Sequence, residues 1–151
     1  FHIDVAAYPE WHPQSRSPQH DLENFKRKID AGANGAITQY FYSPEAYQNF
    51  VNAVRTMGVT VPIVPGIMPI VGVSKLARVS DACGAEVPRW MRRKLESYGD
   101  DTASIRAFGL DVVTDLCARL LENGAPGLHF YSMNQSTLTL EICRRLAIDG
   151  R

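Results

Sequence analysis

Twice in this chain an apolar run breaks into a loop that ends in Ser-Pro, and a stripe of apolar residues three and four positions apart follows. Residues 2–8, HIDVAAY, form the first run, closed by Pro9; Ser17 and Pro18 then precede Leu22, Phe25 and Ile29, and Gly32 ends the stripe. The second unit repeats the order with GAITQYF (35–41), Ser43-Pro44, and Tyr47, Phe50, Val54 and Met57 before Gly58. A serine hydroxyl that accepts an orphan N–H, followed by a proline whose φ is already helical, is a strong helix start. Each unit therefore reads as strand, loop, helix. The third strand, VPIVPGI (61–67), leads to a short helix around Leu76 and Val79 that stops near Gly84. Pro88 to Tyr98 forms another short helix, whose Arg89, Arg92, Arg93 and Lys94 make a solvated face. Asp100 and Asp101 can cap a long helix striped by Ile105, Phe108, Val112, Leu116 and Leu120 and stopped by Gly124. The last strand, GLHFYSM (127–133), precedes a helix from Ser136 to Leu146.

Four strands alternating with helices call for a parallel sheet joined by right-handed crossovers. A flavodoxin-like open sheet would place a Gly-rich phosphate turn after its first strand, and YPEWHP has no glycine. The α/β class is then best met by the (β/α)8 TIM barrel. A full barrel takes about 250 residues, so four units in 151 residues cover about half of one. The expectation is a single domain over residues 1–151, a half-barrel fragment forming the carboxyl-terminal part of a barrel. Its first and last strands would expose unpaired edges, to be covered in a homo-oligomer or by the missing half-barrel. The opening at Phe1 rather than Met fits a piece of a longer polypeptide.

Sixteen basic residues balance sixteen acidic ones, so no whole-molecule field draws nucleic acid or an anionic membrane. Any anion must be bound locally. The most apolar stretch, VTVPIVPGIMPIVGV, has fifteen residues and three prolines, too short and broken to span a bilayer. No charged and apolar leader can be read at the amino end. Cys83, Cys117 and Cys143 form no C-x-x-C pair, which argues against a disulfide frame or a metal site and fits a reducing, cytoplasmic setting.

In barrels the reactive groups stand at the carboxyl ends of strands and in the first loop residues. Those positions here are Tyr8 and His12, then Gln39, then Pro65 and Gly66, then Tyr131, Asn134 and Gln135. Gln39 lies inside an apolar run, where an amide must find a partner: a ligand, a neighbouring strand or a buried water. Asp21, Asn24 and Lys28 are spaced i, i+3 and i+7 and share one helical face, with Arg27 beside them. An acid, an amide and two cations can clasp a ribose and a diphosphate; a solvated face is the plainer reading. His12 is either a loop histidine or a ligand contact, and His2 and His129 have no metal-like spacing.

Taken in order, HIDVAAYPEWHP, DLENFKRKIDAGANGAITQYFY, VPIVPGIMP, VPRWMRRKL and GLHFYSMNQ resemble the carboxyl-terminal half of the methylenetetrahydrofolate reductase family. The most specific part is the tract from Asp21 to Phe41. The resemblance implies a (β/α)8 barrel with non-covalent FAD. In it NADH or NADPH reduces the flavin, which then converts 5,10-methylenetetrahydrofolate to 5-methyltetrahydrofolate, a step of one-carbon metabolism and methionine supply. It assigns Tyr8, His12, Asp21, Asn24, Arg27 and Lys28 to FAD, and Gln39 to the folate pterin and, in turn, the nicotinamide donor. Lys75 and Gln135 would reach substrate from positions where the family carries glutamine and arginine, and Val79 stands where some members have phenylalanine.

The family's acidic proton donor and the aspartate that tunes its flavin fall upstream of Phe1, so no catalytic residue is named here and the chain alone is expected not to turn over. Two other classes remain open: a non-catalytic flavin-binding or assembly module, and another FAD-dependent barrel oxidoreductase such as proline dehydrogenase.

Overall fold

The computed structural model of the chain describes residues 1–148. Strands β1 (Asp4–Ala7), β2 (Gly35–Tyr40), β3 (Ile63–Ile67) and β4 (His129–Phe130) form one parallel sheet in the order β1-β2-β3-β4. Among the described residues the helices are α1 (Pro18–Asp30), α2 (Pro44–Thr56), α3 (Val73–Cys83), α4 (Arg89–Ser97), α5 (Thr102–Glu122) and α6 (Ser136–Arg145). Each strand lies beside its predecessor with no reversal. A doubly wound sheet reverses at a switch point; a single direction of travel with right-handed crossovers puts the helices on one face, as in a TIM barrel.

The caps act as their residue types require. Ser17 Oγ accepts from His20 N at 3.1 Å, Ser43 Oγ from Ala46 N at 3.4 Å, and Asp101 Oδ1 from Ala103 N and Ser104 N at 3.1 Å each. The core lies under the helices, where Phe25, Tyr47, Phe50, Val54, Val113, Leu116 and Leu120 pack with Ile63 and Ile67 of the sheet. Burying each such side chain contributes roughly 1.5–3 kcal/mol. A row in register on the sheet, Ala6, Ile37 and Val64, is exposed or only half-buried. The sheet thus has a well-covered face and a thinly covered one.

Several boundaries depart from the sequence expectation. The first strand is shorter than 2–8, which leaves Tyr8 just beyond its end. The last keeps only His129 and Phe130 of the run 127–133, because Gln135 N bonds Ser132 O at 2.9 Å around Met133 and Asn134, both at positive φ (53° and 59°). A turn with both central residues left-handed ends the strand at once. On α5 the buried positions are Ile105, Gly109, Val113, Leu116, Cys117 and Leu120, while Phe108 and Val112 are half-buried. The stripe is rotated because Gly109 meets Ile70, where an added Cβ would stand 2.7 Å from the Ile70 side chain. Met57 is the C-cap residue of α2, half-buried past the helix end.

Candidate functional site

At the carboxyl end of β1 the chain turns at once: Trp11 N bonds Tyr8 O at 3.2 Å across Pro9 and Glu10, and Trp11 takes φ 81°. That φ is strained for a bulky side chain. The turn carries the loop back over the start of α1. Between loop and helix lies a cleft of about 540 Å³ lined by Tyr8, His12, Asp21, Asn24, Arg27 and Lys28. All six residues assigned to one ligand from the sequence therefore face a common space, half-buried except for the exposed Arg27.

Their internal bonds explain how they are held. Asp21 Oδ2 accepts from His12 N at 3.0 Å, pinning the loop to the helix. His12 Nδ1 accepts from Gln14 N at 3.1 Å, so the neutral ring carries its proton on Nε2. The His12 ring meets Tyr8 edge-on, with centroids 4.6 Å apart. Arg27 donates to Asn24 Oδ1, and Lys28 donates to the Ala6 carbonyl and lies 5.8 Å from the Phe25 ring. Neither cation has a carboxylate within ion-pair distance among the described residues. Burial pulls the Lys28 ammonium below its usual range, with Asp21 opposing, and burial followed by the charges of Asp21 and Cys83 pushes the Tyr8 phenol up. A half-buried ammonium and an exposed guanidinium, neither in a direct ion pair, suit an anionic ligand, which would add the missing charge.

Sequence reasoning passed over His20, Gln14 and Ser15, which also line the cleft. His20 Nδ1 lies 3.1 Å from Asn24 Nδ2 and 3.3 Å from Ser15 Oγ. It precedes Asn24 by four residues, and that spacing was the signal available.

Gln39 lies across Tyr8 from the cleft, in a narrow recess shared with Tyr8, Glu10, Cys83 and Gly84. Its Oε1 accepts from Tyr40 N at 3.0 Å. The bond is to the next residue of its own strand, a partner the sequence reading did not allow for, and not to a neighbouring strand. Lys75 and Gln135 stand further round, at a small apolar pocket with Met68, Ile70, Tyr131 and Met133. Gln135, exposed, is the N-cap residue of α6 but makes no side-chain cap bond. Tyr8 links the first two groups; Lys75 and Gln135 form a separate one. The Val79 side chain is half-buried and lines none of these spaces. The basic residues of α4 are exposed as expected, with Lys94 5.0 Å from the Tyr98 ring.

Among the described residues no cluster of three metal-ligating side chains occurs, and no helix is long and apolar enough to cross a membrane.

Comparison with known proteins puts this geometry in a family. The sequence profile described as Methylenetetrahydrofolate reductase matches residues 1–147. The chain is 37% identical over 148 residues to the 5,10-methylenetetrahydrofolate reductase of Escherichia coli K12, covering 98% of this chain and 50% of that protein. A Caenorhabditis elegans protein named "Probable methylenetetrahydrofolate reductase (NADPH)" is 40% identical over 149 residues, covering 98% of this chain and 22% of its own length. The chain thus spans half or less of these two relatives. A solved structure of an uncharacterized Clostridium thermocellum protein that binds two copies of 5-methyl-5,6,7,8-tetrahydrofolic acid superposes with a TM-score of 0.64. Its identity is 21%, covering 99% of this chain and 54% of that one, and it speaks to the fold. The sequential parallel sheet, the profile and these identities agree, and the chain belongs to the methylenetetrahydrofolate reductase family.

Proposed function

We propose that these residues serve the FAD-dependent reduction of 5,10-methylenetetrahydrofolate to 5-methyltetrahydrofolate with NADH or NADPH as donor. The observation that carries the reading is the convergence of Tyr8, His12, Asp21, Asn24, Arg27 and Lys28 on one cleft. The donor set fits the cofactor. Arg27 and Lys28 supply charge for a diphosphate, Asp21 and Asn24 offer acceptor and donor groups to a ribose, and Tyr8 and His12 present ring surface at the strand end. FAD when bound supplies the hydride chemistry; the protein binds, orients and excludes water. Gln39, beyond Tyr8, contacts the folate pterin and alternately the nicotinamide, while Lys75 and Gln135 reach the outer part of the substrate.

In this reading the four strands are the carboxyl-terminal half of a barrel. The thinly covered row Ala6, Ile37 and Val64 faces its interior, and strands from the other half, or from a second copy, cover the edges of β1 and β4. The proton donor stands on that other half, so these residues alone bind without turnover.

The test uses the protein at its full natural length. Its purified form should be yellow, oxidise NADH or NADPH with menadione as acceptor, and form 5-methyltetrahydrofolate. A yellow protein with no turnover would instead indicate a flavin-binding module, and a colourless one would remove the FAD assignment.

A further inference from the structure

The strand that carries Gln39 is bulged, and β2, β3 and the residue just after β4 build the bulge. Ile37 pairs with Val64 and Tyr40 with Gly66, so Thr38 and Gln39 together stand opposite Pro65 alone. Proline has no N–H to give the ladder, and a two-against-one register follows. The next N–H of β3, that of Gly66, donates to the Thr38 hydroxyl at 2.9 Å. From just beyond β4 the Tyr131 hydroxyl donates to the Thr38 carbonyl, also at 2.9 Å. Only glycine fits between them: a Cβ on residue 66 would stand 2.1 Å from the Thr38 carbonyl oxygen and 2.6 Å from the Tyr131 ring.

Thr38 is fully buried, and a buried oxygen stripped of its partner is costly, so these bonds hold the backbone in one arrangement. Burial raises the Tyr131 phenol, as do the nearby Tyr8 and Cys83, so it remains a protonated donor at neutral pH. Gln39 is the residue directly after Thr38. Its Oε1 is taken by Tyr40 N, which leaves the amide nitrogen as the end available to a ligand.

We propose that Tyr131 and Thr38 are positioning residues for Gln39: by clamping the bulge through both oxygens of Thr38 they fix the direction in which the Gln39 amide meets substrate. The proposal rests on the reading of Gln39 as the folate contact. It concerns residues that themselves need not touch the pterin, and a bulge placed beside a site commonly re-aims a side chain.

A set of variants in the full-length protein tests it, read by kcat/KM for 5,10-methylenetetrahydrofolate and by flavin content per chain. Tyr131→Phe removes one hydroxyl and should lower kcat/KM about tenfold, with flavin content unchanged. In a Gln39→Ala background the same change should have no further effect, since a residue acting through Gln39 has nothing left to orient. Thr38→Ser should keep the wild-type value and Thr38→Val should lose it. The proposal is overturned if Tyr131→Phe has its full effect without Gln39, or if it leaves kcat/KM unchanged while Gln39→Ala is impaired. If Gln39→Ala itself turns over folate normally, the assignment of Gln39 has failed and the clamp falls with it.

Discussion

On the β1 side of the molecule, Asp21, Asn24, Arg27 and Lys28 come from one helix; on the β3–β4 side, Lys75 comes from α3, Gln135 from the N-cap of α6, Gly66 from β3 and Tyr131 from just beyond β4. The first arrangement needs only that α1 form, and α1 is fixed locally by Ser17, Pro18 and its buried Phe25. The second needs β2, β3 and β4 to meet in one register. Local construction tolerates change at single positions, whereas construction across strands concentrates strain wherever two backbones approach.

The difference should be largest at Gly66. Gly66→Ala forces a Cβ against the Thr38 carbonyl, and overpacking against backbone costs about 3 kcal/mol; denaturant unfolding should show the loss. A loss below ~1 kcal/mol would mean that β2 and β3 can separate there, and the contrast between the two sides would weaken. On the α1 side, Lys28→Ala should spare stability and weaken FAD retention about tenfold, the worth of one charge-assisted bond to phosphate. Equilibrium dialysis against FAD would check it, and unchanged retention would make Lys28 a surface lysine. Smaller still are the caps. Ser17→Ala should cost about 1 kcal/mol by freeing the His20 N–H. Gly72, the N-cap position of α3, makes no side-chain cap bond and has extended backbone with no atom near its missing Cβ. Gly72→Ser should therefore stabilise by about 0.5 kcal/mol, and thermal unfolding of the two variants should move in opposite directions.

Legibility from the sequence divides along the same line. The capped helices and the shared face of Asp21, Asn24 and Lys28 follow from spacing within single elements, and the structure brings that face into one cleft with Tyr8 and His12. His20 was as legible as its neighbours, four residues from Asn24, but attention to charge passed it by. The order of the sheet was legible only as a choice between two windings, decided by a missing glycine in the first loop. The bulge was not legible: Pro65 and Gly66 stood out as strand-end residues, but the bond from Tyr131 to Thr38 spans 93 positions. Nothing in the spacing of one strand announces which carbonyl of another it will need. The shortness of β4 has the same origin, because two non-glycine residues at positive φ carry no strong signal in sequence.

A polar contact that joins the two sides supplies the smallest effect. Glu10, in the turn after β1, accepts through Oε2 from Glu86 N at 2.8 Å, tying that loop to the segment between α3 and α4. Burial raises the Glu10 carboxyl above its ordinary range; the bond from the Glu86 N–H opposes this, and the Glu86 charge adds to it. The folded chain thus holds this proton more tightly than the unfolded one does. The stabilising contribution is fully present below the ordinary carboxylate range and is lost as pH rises through the raised value. In Glu10→Gln the side-chain carbonyl can still accept from Glu86 N while the titration disappears. Unfolding midpoints compared between roughly pH 4 and 7 should therefore favour the variant increasingly as pH rises. A constant offset between variant and wild type would show that burial does not act on this carboxyl. A variant that loses ground at every pH would show instead that the loops need its charge, and that the two sides of the site depend on each other more than their separate construction implies.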